Sequence, residues 1–241
     1  KTQAILLICF LNLEIFAQPK QVTIQILERG IENYMENNQI SGLSACVVVK
    51  GKNVWTGNFG QINREENIAA SDSSVFLLYS ITKTFTGIAL MQLVENELIN
   101  LDDSINRYLP FSISHPDFPE TPITVRMLMC HTSGIQDNFN IINNLTTYNE
   151  DSPIDLKQLL EEYLLPGGTY YNENLSFTNN RPGTSFSYSN IGASLAGYLI
   201  EVISGKSYVE YMKENIFDPL EMKNSGFYID DFNQQLLAQE Y

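Results

Sequence analysis

The chain has 241 residues, 44% of them hydrophobic, and its 28 acidic side chains against 14 basic ones leave a net charge of −14. That length and apolar content can bury a substantial core in one or two domains. So acidic a surface argues against nucleic-acid binding, which needs cations to neutralise phosphates, and against anionic membrane surfaces as partners.

Lys1 precedes an apolar run from Ala4 to Leu11, and Ala17 is a small residue suited to a cleavage point, so residues 1–17 read as an export signal and the mature chain as secreted or periplasmic. Asn12 and Glu14 interrupt the run, which is too short for a membrane span, and no stable membrane anchor is expected. Residues 18–241 then form the mature chain. Ile24, Leu27, Ile31 and Tyr34 keep a helical rhythm over residues 22–35. A β-rich run at 43–49, a turn at Gly51-Lys52-Asn53 and a second run at 54–59 predict a hairpin. Ser80 follows an apolar stretch, where a helix over residues 81–97 begins. That helix is apolar around most of its circumference and reads as buried and central.

Short helices are expected at 124–130 and 156–165, and an apolar helix at 191–203 that Asn190 caps and Ser204-Gly205 ends. Another is expected at 208–217. The Asn- and Gly-rich residues 167–180 read as a loop rather than a linker. One hairpin and a weak strand at 226–230 are too little sheet for so many helices, because a lone hairpin is marginal in water. The sequence therefore reads as a fragment that stops before its remaining strands. Cys9 would leave with the signal, while Cys46 and Cys130 lie in apolar segments and are expected to be small buried hydrophobes rather than a disulfide. With His115 and His131 the only histidines, and no paired Cys/His spacing, no zinc site or other cofactor is expected.

Ser80-Ile81-Thr82-Lys83 is the one Ser-x-x-Lys in the chain. On a helix, positions i and i+3 share a face, so the Lys83 amine can reach the Ser80 hydroxyl. A cation in the first turn opposes the helix dipole, and that field together with burial favours the neutral, proton-accepting amine. An ordinary capping serine followed by a snorkelling lysine is the bland alternative. Tyr188-Ser189-Asn190 precedes a helix: a phenol near an amine can shuttle a proton to a leaving group, and an amide can hold a substrate carbonyl. Tyr170-Tyr171-Asn172 has the same spacing but lacks a following apolar helix. No Gly-x-Ser-x-Gly elbow is present, and His131 would be nearly the sole triad base. His131-Thr132-Ser133-Gly134 reads as a structural turn, and Asp102-Asp103 as a cap for the short turn before Tyr108.

Ser80-Ile81-Thr82-Lys83, Leu101-Asp102-Asp103-Ser104, the run from Ile123 to Leu128 into His131-Thr132-Ser133-Gly134, and Pro182 through Asn190 occur in that order. The ordered set resembles the beta-lactamase-related serine hydrolases: class C beta-lactamases, D-alanyl-D-alanine carboxypeptidases and related esterases. The likeness spans about residue 21 to the end. It implies an α+β fold of the serine beta-lactamase/DD-peptidase type, an antiparallel sheet flanked by helices beside a mostly helical region. It also implies catalytic roles for Ser80 (acylated), Lys83 (activating) and Tyr188, and a substrate-orienting role for Asn190. The expected substrates are small molecules or peptides with an amide or ester carbonyl: a beta-lactam, a D-alanyl peptide or an ester. The family's third motif, Lys-Thr-Gly or His-x-Gly, does not occur after Asn190, so this segment alone is expected to be inactive. A non-catalytic relative, a binding or sensing module on the same fold, is the competing reading.

Overall fold

The computed structural model describes residues 24–147 and 150–239, so the expected export signal and Cys9 lie outside the described residues. The chain divides into two compact units: one takes Lys1–Tyr79 with Asp230–Tyr241, the other Ser80–Ile229.

In the first unit, helix α1 (Ile24–Asn38) precedes strand β1 (Gly42–Val49), which pairs antiparallel with β2 (Lys52–Asn63). Val49 pairs with Lys52, leaving a two-residue loop of Lys50 and Gly51, both at positive φ (50° and 73°). Such a loop matches the right-handed twist of the strands it joins, and Gly51 adopts the required conformation without steric penalty. The turn therefore sits one step earlier than the sequence suggested. The third strand is β3 (Ile68–Ala69), in the order β1-β2-β3, and not residues 226–230, where Ile229–Asp231 form a 3-10 turn. Residues 236–239 lie along this unit: Val75 donates to Leu236, Ala238 to Val75 and Gln239 to Ile62.

A 3-10 turn, Tyr79–Ile81, leads into α2 (Thr82–Glu95) of the second unit. There follow α3 (Val125–Met129), α4 (Phe139–Leu145), α5 (Leu156–Leu164), α6 (Glu173–Ser176), α7 (Asn190–Ser204) and α8 (Tyr208–Met212), the last continuing as a π-type turn over Lys213–Phe217. Residues expected to form one loop at 167–180 thus contain the short α6.

The centre of this unit is α7, which packs against α2, α3, α5 and α8 and buries Ile191, Leu195, Ala196, Leu199 and Ile200. Helix α2 buries one face through Thr86, Ala89, Leu90 and Leu93 while Ile88 and Met91 remain exposed. It is not the fully enclosed helix its composition suggested. Gly205 closes α7 at φ 70°, the left-handed C-cap geometry that glycine favours. Both described cysteines are free, as expected, but exposed rather than buried. Asp102 is no cap: its carboxylate grips the Arg126 guanidinium through two bonds of 2.6 and 2.8 Å, which hold it below the usual carboxylate range. Asp103 accepts from Arg107 (2.7 Å) and from the Tyr108 hydroxyl (2.5 Å).

Candidate functional site

Four side chains singled out in the sequence meet within the second unit. Ser80 Oγ lies 2.7 Å from the Tyr188 hydroxyl and accepts from Lys83 Nζ at 3.2 Å. The amine also donates to Asn190 Oδ1 at 2.7 Å and stands 5.0 Å from the centre of the Tyr188 ring. Ser80 and Lys83 face each other because they sit three positions apart at the start of a helix. Among the described residues Lys83 pairs with no carboxylate. Ser80 and Tyr188 are both exposed, so an incoming molecule can reach the serine oxygen.

Packing of α2 on α7, reinforced by a 2.8 Å bond between the Thr86 and Tyr208 hydroxyls, brings Lys83 to the start of α7. Tyr188 arrives by another route. The turn at residues 131–134 has His131 and Gly134 at positive φ (54° and 81°), and a Cβ at Gly134 would lie 2.9 Å from the buried His115 ring. Two carbonyls of this turn hold the segment before α7: Gly183 N–H donates to Thr132 at 2.7 Å, and Ser187 N–H to His131 at 2.8 Å. Ser189 N–H donates to His131 Nδ1 at 3.2 Å, which places the proton of a neutral imidazole on Nε2. The His131 ring lies 4.6 Å from that of Tyr188 and 5.9 Å from that of the exposed Phe186. The segment read as a structural turn is therefore also the bracket for Tyr188.

The cap of α7 is Ser189, whose hydroxyl accepts from Gly192 N–H at 2.9 Å, and not Asn190. This frees the Asn190 amide to face Lys83. Sequence reasoning passed over Asp137, which accepts from Ser189 Oγ (3.0 Å), Ile191 N–H (3.1 Å), Asn190 N–H (2.9 Å) and Asn190 Nδ2 (2.7 Å). Nothing in the sequence pairs it with a residue 53 positions away. The decoy tyrosines stay apart from this cluster, and Asn172 caps α6 instead.

Burial drives both histidines below their ordinary pKa. For His115, a contact with the Thr178 backbone and the charge of Asp117 oppose the shift; for His131, Lys83 adds to it and Asp137 opposes it. Each folded-state value lies below the unfolded one near 6.5, so the unfolded chain binds more protons as acid is added. The stability held above about pH 6.5 is therefore lost as the pH falls below it. Urea midpoints are expected to drop between about pH 7 and 5.5, before most carboxylates titrate. An unchanged midpoint across that interval contradicts the assignment.

A sequence model of the family described as Beta-lactamase matches residues 27–241. The chain is 26% identical over 204 residues to Protein flp of Staphylococcus aureus (strain MW2), across 84% of this chain and 38% of that protein. It is 29% identical over 217 residues to Beta-lactamase-like protein 2 of Dictyostelium discoideum, across 88% and 36%. Among solved structures it is similar to the octameric penicillin-binding protein homologue from Pyrococcus abyssi, with a TM-score of 0.72 and 29% identity over 86% of this chain and 45% of that one. The chain thus spans less than half the length of each of these three relatives.

Proposed function

Because the chain belongs to the beta-lactamase family, we propose that its protein is a serine hydrolase acting through an acyl-enzyme on amide or ester carbonyls. Its fold is the beta-lactamase/transpeptidase-like one that the resemblance implied. The observation that carries the reading is the exposed Ser80 oxygen held between an amine at 3.2 Å and a phenol at 2.7 Å. A nucleophile and a proton acceptor within hydrogen-bond reach, the acceptor itself oriented by a third group, form the signature of covalent catalysis.

In this reading Ser80 Oγ attacks the carbonyl carbon while its proton passes to Lys83 Nζ, with Tyr188 holding the other side of the oxygen. The Oγ–C bond forms and the carbonyl electrons move onto oxygen. As that adduct collapses, the bond to the leaving nitrogen or oxygen breaks, and Tyr188 delivers the proton, replenished from Lys83. Water then attacks the acyl carbon and gives its proton to the Lys83–Tyr188 pair; the Oγ–C bond breaks, the free acid departs, and that proton returns to Ser80 Oγ. Asn190 keeps one amide proton free of Asp137, which can meet a substrate carbonyl.

The test is to treat the complete protein with a fluorophosphonate and with a labelled penicillin and to map the adduct by mass spectrometry. The adduct is expected on the peptide carrying Ser80. An adduct elsewhere, or equal labelling of Ser80→Ala, removes the serine from this role. Turnover of a chromogenic cephalosporin, a D-alanyl peptide and a nitrophenyl ester then selects the substrate class.

A further inference from the structure

The contacts of Asp137 point to a role for a residue outside the motifs. We propose that Asp137 is a positioning residue that fixes the orientation of the Asn190 amide, so that its oxygen, and not its nitrogen, faces Lys83. The inference rests on the serine-hydrolase reading for its kinetic consequence, though not for its geometry.

The two faces of an amide are nearly the same shape, and only their partners decide which way the group points. At Asn190, Oδ1 must face the amine for Lys83 to have an acceptor at 2.7 Å; turned over, Oδ1 would meet the Asp137 carboxylate acceptor to acceptor. Asp137 Oδ2 removes the ambiguity by accepting from Asn190 Nδ2 at 2.7 Å and from Asn190 N–H at 2.9 Å. The other carboxylate oxygen accepts from Ser189 Oγ at 3.0 Å and from Ile191 N–H at 3.1 Å. Each oxygen thus takes two donors, which fills the acceptor capacity of an ionised carboxylate. A group held by four bonds at a half-buried helix start has no free rotation to give Asn190 a second choice. The same four bonds tie the residue after Gln136 to the first turn of α7, so the amide and the amine it faces are placed by different elements.

Asp137→Asn tests this directly. The substitution keeps the shape but exchanges one acceptor oxygen for a donor. Either Asn190 Nδ2 or the Ser189–Ile191 pair then loses its acceptor, and the Asn190 amide is free to turn. Labelling of Ser80 by a fluorophosphonate, counted per active site, is expected to slow about 100-fold, the scale of a small misplacement at a reacting centre. A residue that acts through Asn190 has nothing left to act on once that amide is gone. In an Asn190→Ala background, Asp137→Asn is therefore expected to change the labelling rate by no more than about twofold.

A merely structural role would lower the urea midpoint and the fraction of active sites while leaving the rate per site alone. Wild-type rates per site in Asp137→Asn, or full multiplication of the two effects in the double variant, overturn the proposal. If the substitution prevents folding, the unmodified protein still decides the matter. The side-chain amide signal of Asn190, identified by its loss in Asn190→Ala, is expected to be protected from solvent exchange in NMR, and fast exchange overturns the inference. Labelling that survives Ser80→Ala removes the serine reading and leaves this inference to the amide measurement.

Discussion

Lys83→Met is expected to lower the rate of the proposed Ser80 acylation by about 10⁴- to 10⁶-fold, the loss that follows when one member of a nucleophile–base set is removed. Methionine keeps the unbranched stem that crosses from α2 toward α7, so packing changes little. What disappears is the amine: the donor at 3.2 Å from Ser80 Oγ and the partner at 2.7 Å for Asn190 Oδ1. Ser80 keeps its bond to Tyr188, so a residual rate carried by the phenol remains. Stopped-flow labelling with a fluorophosphonate, beside a urea titration confirming the fold, measures the effect. A loss of less than about tenfold would show that Tyr188 alone suffices as proton acceptor.

Phe177→Ala destabilises the protein by about 3–5 kcal/mol, the usual result of deleting a buried phenyl ring. Phe177 is 1% exposed, and its ring stands 5.2 Å from that of His115 at an angle of 64°. Its backbone bridges to Ile135, and its carbonyl accepts from Gln136 Nε2 at 2.8 Å, so the surroundings are pinned and collapse little into the space left behind. Against a total stability of typically about 5–15 kcal/mol, that is a large share. There is a second consequence. Dryness is the main reason the His115 pKa is depressed, so admitting water beside the ring should also flatten the loss of stability between about pH 7 and 5.5. Paired urea titrations of wild type and variant measure both effects. A change below about 1 kcal/mol means that the site repacks.

Periodicity and spacing carried the elements whose causes are local. The β1–β2 hairpin followed from its two β-rich runs and the glycine in the turn between them. The facing of Ser80 and Lys83 followed from helical geometry alone. Tyr188 and Asn190 stood out because a helix begins there. What stayed hidden depends on neighbours distant in the chain. Helix α2 is apolar all round, yet sequence cannot say which faces find a partner, and α7 took the central place while Ile88 and Met91 stayed exposed. Ser189 and Asn190 are adjacent and both suit a helix cap; Ser189 takes the role, while the Asn190 amide is engaged by Lys83 and by the distant Asp137. Cys46 and Cys130 sit in apolar runs but are exposed: Cys46 opens the half of β1 whose residues are exposed at every position to Val49, and Cys130 caps the end of the short α3. Asp102 resembled a cap until its distant arginine was in view.

The segment preceding α7 hangs from the turn at residues 131–134 by main-chain hydrogen bonds at Gly183 and Ser187. Every residue but proline carries the same peptide N–H, so the bond at Ser187 tolerates a change of side chain, whereas Gly183, at φ 87° with Met127 Cε 2.8 Å from where a Cβ would sit, does not. Thr184 and Phe186 in this segment are both exposed. Positions 184 and 186 can therefore change while the main-chain bonds that hold the segment before Tyr188 stay as they are.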